Sequence, residues 1–276
     1  MVAKITRVAF LSFMGLSLIA LLFPVIYFYM QPSIEKKQIK QISSPVIKDK
    51  IPYESFVQVL HTTYIEVGKC MSNDIFCPIV NKPMTTRSKG SGVIVGHNGG
   101  YTYIITAQHV CEHRKAVGMQ IGKFAYSYSY NETVEVVTFV GELLKAFVIS
   151  SDVKNDLCLL SLPGSVGKRV KVKKEKLQIG EIITNVGAPM GIFTPGMALT
   201  FDGRYSGTDG IGNGYFSIPG APGSSGSAIF DSTGKMVSIV HSAHTQFSHL
   251  AIGCLQSNLL LFIHKNREYI GFLMKD

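Results

Sequence analysis

At 276 residues the chain is long enough for one medium hydrophobic core, or two small ones, beside a short appendage. An apolar share of 46% against 16% charged, with 27 Gly and 11 Pro, excludes a disordered, coiled-coil or collagen-like chain. Five Cys are too few for a disulfide-built scaffold, and the odd count leaves at least one without an internal partner. The formal charge of +9 points to nucleic acid only until it is located. Residues 1–50 carry seven Lys/Arg against Glu35 and Asp49, a surplus of +5, and the rest of the chain carries 20 against 16, or +4. More than half of the excess therefore flanks a hydrophobic segment, where a membrane explains it better. No nucleic-acid partner is expected.

That segment runs from Val8 to Met30 without a charge. As a helix it would span about 34 Å, enough for a bilayer core with some tilt. Tyr27 and Tyr29 stand where an interfacial aromatic belt would put them. No small-x-small cleavage site comes after it, so residues 1–30 read as a cytoplasmic stub and uncleaved single-pass anchor rather than a removed signal peptide. Basic residues flank both ends, Lys4 and Arg7 before and Lys36, Lys37 and Lys40 after, so the positive-inside rule hardly orients it. A first hydrophobic segment so near the N-terminus commonly exports the chain beyond it, and the C-terminal domain is expected outside the cytoplasm. Residues 31–52 are polar, with three Pro and adjacent Ser43 and Ser44, and read as a tether.

From residue 53 to 276 a single domain is expected. Short β-branched runs dominate it: 91–96 (SGVIVG), 101–107 (YTYIITA), 133–140 (TVEVVTFV), 181–187 (EIITNVG) and 235–241 (KMVSIVH). His97-Asn98-Gly99-Gly100 between the first two is a hairpin signal. No βαβ alternation is visible, so a barrel or sandwich is implied. Helical spacing of Leu259, Phe262, Ile263, Tyr269 and Ile270 predicts a closing helix within 255–274. The Lys-rich stretch 168–176 alternates charge with valine and reads as an exposed edge strand.

Three segments carry chemistry. In Thr106-Ala107-Gln108-His109-Val110 a histidine comes just after the end of an apolar strand. In Asn155-Asp156-Leu157-Cys158-Leu159-Leu160 a carboxylate heads another. In Gly223-Ser224-Ser225-Gly226-Ser227-Ala228-Ile229-Phe230 glycines bracket a serine ahead of a third. A serine hydroxyl needs an adjacent base to attack at neutral pH. Imidazole suits that task, and a buried carboxylate fixes its tautomer. A Gly-x-Ser turn lets two backbone N–H groups converge on a developing oxyanion.

These segments, in the order His, Asp, Ser, resemble the signature segments of the chymotrypsin-fold serine peptidases, and most of all the bacterial and viral trypsin-like branch that includes the HtrA proteases. The resemblance implies an all-β fold of two antiparallel six-stranded barrels with a C-terminal helix. It implies His109 as general base, Asp156 as its orienter, Ser225 as nucleophile, and the amides of Gly223 and Ser225 as the oxyanion hole. It sets the primary substrate pocket among residues 215–222 and 238–243, with Pro219, Val240 and His241 as its lining. No acid falls there, so small or medium apolar residues are expected before the scissile bond; His241 leaves Glu or Gln as an alternative.

Departures and rivals accompany that reading. The disulfide that often staples the family's His loop is expected to be missing, because no Cys precedes Cys111 in the adjoining strand. Cys158 reads as buried packing, and Cys70 and Cys77 could pair if the domain is exported. No processing step that frees a new N-terminus, and no PDZ domain, is expected. Asp152 rivals Asp156, and Ser224 and Ser227 rival Ser225, but only Ser225 has Gly two before and one after. His109-Val-Cys-Glu-His113 also matches the inverted zinc-peptidase motif H-x-x-E-H, which needs a full helix; His241, His244 and His249 are too loosely spaced for a metal site. The expected function is a membrane-anchored serine endopeptidase acting on protein or peptide substrates without metal or cofactor. A catalytically silent binding module on the same fold is the alternative, and a zinc peptidase the third.

Overall fold

The computed structural model of the chain describes residues 50–71, 78, 83–112, 119–121 and 124–271. The expected anchor, nearly all of the expected tether, Cys77 and His113 lie outside the described residues. Among the described residues no helix is long and apolar enough to cross a membrane.

Among the described residues, twelve of thirteen strands form two closed barrels. The first contains β1 (Phe56–Cys70), β2 (Met84–Asn98), β3 (Tyr101–Thr106), β5 (Phe124–Thr138), β6 (Leu143–Asp152) and β7 (Leu157–Pro163), ordered β1-β2-β3-β7-β6-β5 and closed by β5 pairing with β1. Strand β4 (Met119–Ile121) hangs on the outer part of β5. The second closes β8 (Ile182–Gly187), β9 (Leu199–Thr208), β10 (Asn213–Phe216), β11 (Ala228–Asp231), β12 (Met236–His244) and β13 (Phe247–Cys254) in the order β10-β13-β12-β11-β8-β9. Closure leaves no long free sheet edge in either barrel. Gly99 and Gly100 both have positive φ and make the two-residue turn between β2 and β3, with Asn98 paired to Tyr101, as the sequence required.

Alternation along each strand divides its side chains between two cores. Ile94, Cys158 and Leu160 point into the first barrel beside Val57, Val59 and Val136. Their neighbours Val93, Val95, Leu157 and Leu159 face the other way and pack with Val186, Phe230 and Ile239 between the barrels. Ile183, Phe216, Ile229 and Val237 fill the second barrel. Runs such as 157–160 are therefore continuously apolar because both faces of the strand are buried.

Three expectations need correction. The Lys-rich stretch is no edge strand. It is the connector between barrels, pinned by Val170 and Val172 buried among the interbarrel residues, and it meets the sheets through the Val170 N–H, which donates to the Ile94 carbonyl at 3.0 Å, and an isolated parallel bridge from Val172 to Met236. Valine burial, not edge protection, explains the alternation. The closing helix is split into α2 (Gln256–Lys265) and α3 (Arg267–Ile270). Asn266 breaks it: its side-chain amide donates to the Phe262 carbonyl at 2.9 Å, and its backbone leaves helical ψ. Gly271, in the left-handed conformation, ends the second piece. Finally, Cys158 is not a packing thiol but is disulfide-bonded to Cys111, so the His109 segment does carry a staple, from the Asp156 strand instead of the strand before it. Cys70 is also disulfide-bonded, through a partner outside the described residues, and Cys254 is free and buried.

Candidate active site

Strand β3 ends at Thr106, and the chain makes a single helical turn, α1 (Gln108–Cys111), that carries His109. Across from it the β6–β7 turn is built by Asp152, whose carboxylate accepts from the backbone of Lys154 and Asn155 at 3.1 Å each and from the Asn155 side chain at 2.7 Å. The rival carboxylate is thus fully used in shaping the turn. That turn delivers Asp156 at φ 52°, a left-handed conformation that Asp tolerates better than most residues. From there Asp156 clamps α1 at three points. Its carbonyl accepts the Gln108 N–H at 3.2 Å, Oδ1 accepts the His109 N–H at 3.0 Å, and Oδ2 lies 2.7 Å from His109 Nδ1. Beside a carboxylate Nδ1 carries the proton, which leaves Nε2 as the basic nitrogen.

Burial alone would raise the Asp156 carboxyl. The hydrogen bonds from the His109 ring and backbone, with the fields of His109 and His241, outweigh it and hold the carboxyl below the ordinary aspartate value. His241 is also held below its usual value: burial pushes it down, Asp156 opposes, and His109 adds to the depression.

Ser225 sits on the turn that precedes β11. Ser224 is buried, its hydroxyl oxygen accepting the Ala221 N–H at 3.3 Å. Ser227 is buried too, accepting from Asn185 Nδ2 at 2.8 Å. Ser225 alone of the three is partly exposed, and its hydroxyl donates to the His241 carbonyl at 3.4 Å. Gly223, at φ 93°, has no room for a Cβ, which would meet the Ala188 carbonyl and the backbone of Met190 and Gly191. The carbonyls on either side of its Cα are both engaged: Pro222 accepts from the Met190 N–H at 2.6 Å and Gly223 from the Ser91 hydroxyl at 2.8 Å. Among the described residues the N–H groups of Gly223 and Ser225 have no backbone acceptor, whereas those of Ser224, Gly226 and Ser227 do. Two such donors two residues apart on one turn are the pair the oxyanion expectation names.

Ser91 was not singled out by the sequence. It lies on β2, fully buried, where its hydroxyl donates to Gly223 and accepts the Ala188 N–H at 3.0 Å, and its N–H donates to the Ser225 carbonyl at 2.8 Å. A residue of the first barrel thus ties down the serine turn of the second. Nothing in the segment SGVIVG separates that serine from an ordinary strand terminus.

Beside Ser225 lies a cavity of about 360 Å³ lined by Ala221, Pro222, Val240, Ala243 and His244 among others, with no Asp or Glu in its lining. Val240 is part of that lining. Pro219 and His241 are not in that lining, and the histidine at the cavity is His244. The H-x-x-E-H alternative loses its helix, since α1 ends at Cys111 and Glu112 is extended.

Residues 90–239 match the family model described as trypsin-like peptidase domain. The chain belongs to the trypsin-like peptidase family. Among curated relatives, this trypsin-like peptidase domain is 26% identical over 178 residues to the serine protease Do-like HtrA of Lactococcus lactis subsp. cremoris, covering 60% of this chain and 40% of that protein. It is 27% identical over 168 residues to its namesake from Lactobacillus helveticus, covering 58% and 37%. The chain thus spans about two fifths of the length of the curated relatives it matches. Solved structures share the fold at 17% identity: a serine endoprotease from Yersinia pestis (TM-score 0.56, covering 79% of this chain and 64% of that one) and the HtrA-type protease AlgW with a decapeptide (TM-score 0.59, 82% and 67%).

Proposed function

We propose that the chain is a serine endopeptidase that hydrolyses peptide bonds through an acyl-enzyme on Ser225, anchored to a membrane by residues 8–30 with the peptidase domain on the extracytoplasmic side. The observation that carries the catalytic reading is the two-point grip of Asp156 on His109, taken with the one partly exposed serine of a glycine-bracketed turn. His109 Nε2 takes the proton as Ser225 Oγ attacks the scissile carbonyl, and later returns it to the leaving amine. Asp156 keeps Nδ1 protonated and stabilises the imidazolium that forms. The N–H groups of Gly223 and Ser225 receive the oxyanion. For attack the hydroxyl must leave the His241 carbonyl, and the 3.4 Å length makes that a weak bond to lose.

The residue before the scissile bond enters the cavity beside Ser225. A Lys or Arg there would be desolvated without a counter-charge, which costs several kcal/mol, so small or medium apolar residues are preferred.

A fluorophosphonate probe tests the catalytic reading. The chain should be labelled at Ser225, and Ser225→Ala should remain folded, escape labelling and lose on the order of 10⁶ in turnover. An unlabelled, inactive wild type with a native fold would leave the binding-module alternative standing. Protease protection of the domain in intact cells would refute the extracytoplasmic placement.

A further inference from the structure

We propose that the Cys111–Cys158 disulfide is a positioning device for the His109–Asp156 pair, so that turnover depends on this bond being formed; the claim rests on the reading of those two residues as base and orienter. One sulfur lies two residues after His109 and the other two residues after Asp156, so the same sequence separation of 47 joins both pairs. The covalent link thus joins the same two segments as the His109–Asp156 hydrogen bond, through cysteines that are both buried.

Besides the Asp156 hydrogen bonds and the burial of Gln108 and Val110, the local structure has little to hold it. A four-residue helical turn with no side-chain N-cap bond has no stability of its own. The His109 side chain is 49% exposed, so packing does not fix it. Asp156 occupies a left-handed conformation that persists only where its surroundings over-determine it. The disulfide supplies that constraint from below. Cys111 and Cys158 are both buried, packed with Ala107, Val110 and Ile104 in the core of the first barrel. Cys158 is in addition paired with Thr106 of β3 and Ser151 of β6, so the far end of the link is held in the sheet on both sides.

Opening the bond is a two-electron step. A dithiol reductant attacks one sulfur, the Sγ–Sγ bond breaks through a mixed disulfide, and two Cys thiols remain while the dithiol closes to its own disulfide. Cys254 is no competing thiol, since burial pushes it up to about 11 and away from the reactive thiolate form.

The test uses the full chain in four forms: wild type, Cys111→Ser/Cys158→Ser, the volume-filling Cys111→Ala/Cys158→Val, and Cys70→Ser as a control for the other disulfide. Peptide hydrolysis gives kcat and KM, and the low-field proton resonance of the His109 Nδ1–H reports the hydrogen bond to Asp156 directly. Both double variants should lose roughly 10- to 100-fold in kcat, with KM within about two-fold, as for an interaction used in the transition state. Their low-field resonance should vanish, while Cys70→Ser keeps the wild-type values of all three. A folded double variant with kcat within two-fold of wild type, or with an intact resonance, overturns the proposal. Should neither double variant fold, wild type treated with a dithiol and alkylated decides: the resonance must fade in step with alkylation of Cys111 and Cys158, and its survival after both are alkylated refutes the claim. A wild type that fails to label at Ser225 sinks the catalytic reading instead, and the resonance still reports on the disulfide.

Discussion

Replacing Ser91 by Ala removes one hydroxyl that serves two buried backbone groups, and its cost can be worked from the structure. The Gly223 carbonyl loses a donor at 2.8 Å and the Ala188 N–H an acceptor at 3.0 Å, both in bonds with buried partners. A buried polar group left unpaired costs about 1–3 kcal/mol, so the variant should lose about 2–6 kcal/mol. The bonds from the Ser91 N–H to Ser225 and from Thr106 Oγ1 to the Ser91 carbonyl involve the Ser91 backbone and survive. For a domain of this size each kcal/mol moves the melting temperature by about 2–4 °C, so a fall of roughly 4–24 °C is expected by calorimetry. The effect on catalysis is separate. The Gly223 carbonyl, no longer held, lets the adjoining peptides turn and misdirects the proposed oxyanion donors. A full donor is worth 10²–10³ in kcat, and a loosened one should cost on the order of 10-fold with KM little changed. A Ser91→Ala protein whose melting temperature and kcat both match wild type would refute the claim that this hydroxyl anchors the serine turn.

Gly226→Ala should be worse than Ser91→Ala, because the position has φ 87° and a Cβ would run into the Ser91 carbonyl and Thr106 Oγ1; a loss above about 3 kcal/mol is expected from strain and overpacking together, read as a lower urea midpoint or failure to express. Asp231 is almost fully buried, pairs with Lys173, which also bridges Glu181, and accepts from Thr233 and Lys235; burial works to raise its carboxyl, but these bonds prevail and hold it below the usual value. A depressed carboxyl contributes stability above its unfolded pKa and loses it as pH falls through the folded one. Asp231→Asn should therefore cost about 3–5 kcal/mol near neutral pH, and its gap from wild type should shrink in urea titrations taken from about pH 4 downward; a gap independent of pH would contradict the pairing. A peptide library should give cleavage after small or medium apolar residues, and a profile dominated by Lys or Arg would show that the cavity beside Ser225 is not the primary pocket.

Much of this molecule is legible residue by residue. The β-branched runs, the Asn-Gly-Gly hairpin and the order of the His109, Asp156 and Ser225 segments depend on local conformation, and each carries its own signal: a period, a turn residue, a glycine bracket. By themselves they imply a barrel or sandwich, and the two β-barrels and the serine-peptidase reading come through the family resemblance that the three segments carry. The features that the linear chain could not reveal are set by partners far apart along it. The lysines of 168–176 looked like edge protection, because only the interbarrel core shows that Val170 and Val172 are buried. Asn266 interrupts the last helix through a bond to the Phe262 carbonyl that competes with continued helical periodicity. The cysteines could not be matched by spacing, since Cys111 and Cys158 meet only when strand β7 is laid beside β3. Ser91 became a site residue only when the first barrel was set against the serine turn of the second. Sequence period and turn chemistry decide which way a side chain leaves its own strand; which group it then meets, and so whether a serine or a cysteine is structural filler or part of a site, is decided by barrel closure and by the packing of one barrel on the other.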